Sequence, residues 1–116
     1  MAGEHPCYTV VEVPERVTQE WLAAGAWLAV PAGGRVLVDA AALETAEAEA
    51  GALAAAAEQL AARAGRVAVY APGDLAFGLA RQAIQLAGVE EGAVMAVFRE
   101  REAALRWLLG GEGAAT

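Results

Sequence analysis

RVAVYAPGDLAFGLARQAIQLAG, residues 66–88, decides the fold class. Its first part, Arg66–Ala71, is almost wholly apolar and rich in β-branched and aromatic residues, as expected of a parallel strand covered on both faces. Pro72-Gly73 then turns the chain, Asp74 is expected to cap a helix running through Ala87, and Gly88 terminates it. A buried strand that passes through a short turn into a helix is half of a βαβ unit, so its neighbours should repeat the pattern.

They do. On the N-terminal side, Arg35–Ala40 (RVLVDA) reads as a second buried strand. Thr45–Ala64 reads as the clearest helix, with Thr45 as its cap and Glu47 and Glu49 near its positive end. Ala46, Ala50, Leu53, Ala57, Leu60 and Ala64 form its inward stripe, where alanine permits close helix–sheet approach, and Gly65 ends it. Further back, Cys7–Val13 reads as a strand stopped by Pro14, and Thr18–Ala29 as a helix carrying Trp21, Leu22 and Leu28. Gly25 weakens that helix by about 1 kcal/mol relative to alanine. On the C-terminal side, Ala93–Phe98 reads as a strand and Glu100–Leu109 as the last helix. The order β-α-β-α-β-α-β-α predicts an α/β fold: a single-layer, mostly parallel sheet of four or five strands with alternating helices. One domain is expected over 7–109, with a flexible N-terminus at 1–6 and a disordered tail at 110–116.

Composition narrows the chemistry. The 116 residues include no serine, no asparagine and no lysine, so a serine nucleophile, a lysine Schiff base and a Walker-type phosphate lysine are excluded. One cysteine and one histidine cannot form an internal disulfide or a zinc site, and no cofactor is expected. The net charge of −7 without an arginine cluster argues against nucleic acid and against an anionic membrane surface. The longest uncharged run, Trp21 to Gly34, is 14 residues with a proline inside it, too short for a membrane span. No basic region precedes an apolar stretch at the N-terminus, so a cytoplasmic location is expected.

Three segments together resemble the SpoIIAA-like, STAS-type proteins: Asp39 closing RVLVDA, VAVYAPGDLAFGLAR at 67–81, and VFREREAALRWL at 97–108. Phe77-Gly78, Phe98-Arg99 and Ala104-Leu105-Arg106-Trp107-Leu108 carry the likeness, which spans about residues 35–109. The resemblance implies a STAS-like fold and a non-enzymatic binding or regulatory role, with protein partners or a small apolar or anionic ligand. The chain departs from that family in two places. Residues 40–49 hold no serine where a switch serine is expected, and only Cys7–Val13 reads as strand before the first helix.

Seven residues are candidates for contact with a ligand or partner: Trp21, Trp27, Asp39, Thr45, Asp74, Phe77 and Arg81. Thr45 is either a simple helix cap or a phosphoacceptor favoured by the helix dipole. Asp39 ends a strand, where α/β proteins place functional groups, and it can equally hold its own loop together. The Pro72-Gly73-Asp74 turn can present free N–H groups to an anion, although Asp74 would oppose one. Arg81, two turns further on, is expected to face solvent. Trp21 and Trp27 lie six residues apart and cannot face the same way from one continuous helix, which makes that helix apolar around its circumference. Such a helix is buried, dimeric or a docking surface. A further expectation is an apolar-ligand or lipid carrier whose cavity is lined by Trp21, Trp27 and Phe77. An enzyme would instead need Asp39, Glu44, Asp74 or Arg81 to converge in a cleft.

Overall fold

The structure is a computed structural model that describes residues 7–110. The N-terminus at 1–6 and the tail beyond Gly110 lie outside the described residues; Gly110 itself closes the last helical turn. The main sheet has strands β1 (Thr9–Glu12), β3 (Arg35–Asp39), β5 (Arg66–Tyr70) and β6 (Met95–Phe98) in the order β1-β3-β5-β6, and all are parallel. The chain is thus an α/β protein with a parallel sheet alternating with helices, compatible with a STAS-like arrangement. A separate two-stranded ladder pairs β2 (Arg16–Val17) with β4 (Thr45–Ala46), also in parallel, so a second short strand precedes the first helix where the sequence predicts only one.

Strand order follows sequence order, so right-handed crossovers bring every connecting helix to the same face. That face carries α1 (Gln19–Ala24) with a 3-10 turn at Ala26–Leu28, α2 (Ala50–Arg63) and α3 (Asp74–Ala87). The last helix follows the final strand and is free to take the other face. There α4 (Arg101–Leu105) and the π-helical turn Arg106–Gly110 pack Ala104 and Leu108 against Tyr8, Leu37 and Ala68. Coverage on both sides is why Val36, Leu37, Val67 and Ala68 are fully buried.

Three local expectations are corrected. The helix expected over Thr18–Ala29 breaks at Gly25, whose φ of 75° ends α1 while its N–H donates to the Leu22 carbonyl. Thr18 caps what remains, its Oγ1 accepting from the Trp21 N–H at 3.1 Å. Thr45 does not cap α2. Its N–H and that of Glu44 both donate to the Glu15 carbonyl, and the Glu47 N–H donates to Val17, so this stretch is ladder and α2 starts only at Ala50. Asp74 opens α3 as its first residue, behind an N-cap at Gly73 that makes no side-chain bond.

Candidate functional site

The strands that bear the core alternate valines, leucines and alanines, and side chains of alternate residues turn to opposite faces. Val11, Val38 and Val69 therefore face α1, α2 and α3, whereas Asp39 belongs to the row that faces α4. The helices present mostly alanine to those valines: Ala56 and Ala57 from α2, and Ala76, Ala80 and Ala83 from α3. Alanine brings the helix close but leaves no side chain to fill the gap between ridges. The result is a cavity of about 150 Å³ between sheet and helices. Every residue lining it is apolar, including Leu43, Leu53, Leu60, Leu79, Ile84 and Met95. Val17 and Ala46 bring the small ladder to the same wall, where the loops after β1 and β3 meet. Arg16 and Glu47 pair across that ladder, and the hydrogen bond that Arg16 donates to the Glu47 carboxylate, then the carboxylate's charge, raises the Arg16 pKa above its ordinary value.

Trp21 and Trp27 both line the cavity. The break at Gly25 makes this possible, since it redirects the second tryptophan after a single helical segment has placed the first. Trp27 is buried, and its indole N–H donates to the Leu22 carbonyl at 3.0 Å. Phe77 does not line the cavity, contrary to the carrier expectation. It lies instead under the Arg99 guanidinium, whose carbon is 4.3 Å from the ring centroid.

The polar candidates do not converge. Asp39 accepts from the Ala41 N–H at 3.0 Å and pairs with Arg101 at 3.3 Å. Asp74 pairs with Arg99 at 2.7 Å, and Arg99 also donates to the Pro72 carbonyl at 3.4 Å. Arg81 is exposed, as expected, and meets Glu91 at 3.4 Å. Thr45 is exposed on the ladder. Asp39 and Asp74 thus each have their own arginine, and no crevice gathers them. The strand order supplies a reason: without a reversal of connection side between neighbouring strands, the sheet has no switch-point crevice at their carboxyl ends. Among the described residues, no group of three or more His, Cys, Asp or Glu side chains is placed to hold a metal ion. Nor is any helix among them long and apolar enough to cross a membrane.

Sequence reading missed most of the cavity wall. The alanines of α2 were legible as a close-approach surface, and the same smallness, there and on α3, opens the space. No protein-family model, curated protein or solved structure matches this chain.

Proposed function

We propose that this protein is a non-enzymatic, cytoplasmic STAS-like binding module that holds a small apolar ligand between its sheet and the α1–α3 layer. One observation carries the reading: a cavity of about 150 Å³ whose lining is apolar throughout, with two tryptophans in its wall. An engineered apolar cavity of about 150 Å³ in another protein stays dry and takes up benzene or xenon. Acid–base chemistry needs a titratable group beside the substrate, and none lines this space. The family likeness and the α/β fold support a binding module, and a chain without serine has no serine switch.

Calorimetric titration with benzene tests this. Saturable binding is expected, and Ala80→Leu, which adds three side-chain carbons to the lining on α3, should abolish it while leaving the fold intact. Absence of saturable heat from the unaltered protein would remove the reading.

A second reading has its own observation. Leu75 and Leu86, 47% and 57% exposed, lie eleven residues apart on α3 and so share one stripe. That stripe supports contact with a protein partner or a second copy. Sedimentation at micromolar concentration should then show a dimer that Leu86→Arg dissociates; a monomer would set self-association aside.

A further inference from the structure

The apolar cavity has a neighbour of different character. A second space of about 220 Å³ runs along β1, lined by Thr9–Glu12 and by the helical segment opposite. Val11, Trp21 and Trp27 line both spaces, so the two indoles stand between them.

The outer space is polar for a backbone reason. β1 is an edge strand whose sole partner in the sheet is β3. The Val13 N–H donates to the Asp39 carbonyl at 2.9 Å, and the pleat turns the amide of Val11 the same way. The N–H and C=O groups of Val10 and Glu12 therefore point to the free edge, where they keep a hydrogen-bonding capacity that the inner cavity lacks.

The two indoles are held differently. Trp27 is 7% exposed and anchored through its N–H to Leu22. The Trp21 ring is half-buried and makes no hydrogen bond among the described residues. It rides on a six-residue helix with no fully buried residue, hinged at the left-handed Gly25. Trp21 is therefore the less restrained of the two indoles. Size points the same way: small-molecule sites begin near roughly 300 Å³, which neither space reaches alone and the two together exceed.

We propose that the two spaces are one site for a short-chain amphiphile, with Trp21 as the movable partition that sets tail length. An alkyl tail of about six carbons lies in the inner cavity, judged from the benzene such a volume accepts. An uncharged polar end meets the free edge of β1. A carboxylate end is disfavoured by Glu12 in the outer space and by the net charge of −7. This inference rests on the inner cavity being a ligand site.

The full-length protein is titrated in a calorimeter with benzene, n-hexane, 1-hexanol, hexanoate and 1-octanol. 1-Hexanol should bind within about threefold of n-hexane, because its hydroxyl finds backbone partners; a hydroxyl left unpartnered against the apolar lining would lose at least about fivefold. Hexanoate should bind more weakly than 1-hexanol at low salt. From 1-hexanol to 1-octanol the unaltered protein should gain less than the roughly fourfold per methylene of full burial, and Trp21→Ala should restore that gain. A loss of more than about fivefold for 1-hexanol against n-hexane overturns the proposal, whether or not Trp21→Ala folds. Equal binding of hexanoate and 1-hexanol overturns it as well, as does an unaltered methylene increment in a folded Trp21→Ala. Benzene separates the two levels: if it binds while the alcohol is penalised, only the amphiphile site fails, and if it does not bind, the cavity reading fails too.

Discussion

Gly65 sits where β5 begins, and its place is set by another stretch of backbone. A Cβ there would come within 2.5 Å of the Gly33 carbonyl oxygen, while the Gly65 N–H donates to Gly34 at 2.8 Å. The contact is backbone on backbone, so neither side yields easily. Gly65→Ala should destabilise the protein by about 1–3 kcal/mol, read as a lower urea midpoint; an unchanged midpoint would show that the Gly33 turn moves freely. Arg66, next in the chain, reaches to the other face of the sheet. Its guanidinium donates to the Trp107 carbonyl at 2.9 Å and stacks 4.5 Å from the Trp107 ring centroid, and that ring in turn packs beside Phe98. Arg66→Ala should lose roughly 1–2 kcal/mol and release α4 first, as faster amide exchange at Ala104 and Leu105. Equal acceleration across the whole sheet would contradict a local clamp. The packing of Trp107 on the sheet was legible from its helix, but its arginine partner lies 41 residues away, where no local pattern reaches.

At the scale of elements, the strands were the most legible part. Apolar runs such as RVLVD and RVAVY have no alternative to burial on both sides. The helix starts were the least legible, because a capping residue proposes a local bond that a distant carbonyl can outbid. Thr45 looked like a cap for α2, yet the carbonyls of Glu15 and Val17 claim the amides around it for the β2–β4 ladder. Thr18, by contrast, has no competing partner and caps α1. Thr18→Ala should therefore lose about 1 kcal/mol, whereas Thr45→Ala, at an exposed ladder position, should change stability by no more than about 0.5 kcal/mol. Equal losses by thermal or urea unfolding would reverse these roles and reopen the case for a modification site at a helix terminus. The break at Gly25 is the other decisive element feature. The glycine was legible as a weakening, but its consequence for the two tryptophans follows only from the left-handed turn that directs both toward one cavity.

At the scale of the whole molecule, topology determines where a ligand can go. A sequential parallel sheet sends its three crossover segments to one face and leaves the strand ends without a crevice. The polar residues singled out at those ends, Asp39 and Asp74, are accordingly spent on arginine pairs. Alanine-rich α2 and α3 then approach valine-rich strands without filling the space between them, which concentrates unsatisfied volume on the crowded face. The opposite face, under α4, holds Trp107, which lines neither space, and its indole supplies an internal control. The most direct test is a ¹H–¹⁵N spectrum recorded during benzene titration, following the three indole N–H signals. The Trp21 and Trp27 signals should shift saturably with a shared affinity while that of Trp107 stays fixed. Movement of all three alike, or of none, would contradict a ligand site between the sheet and the α1–α3 layer.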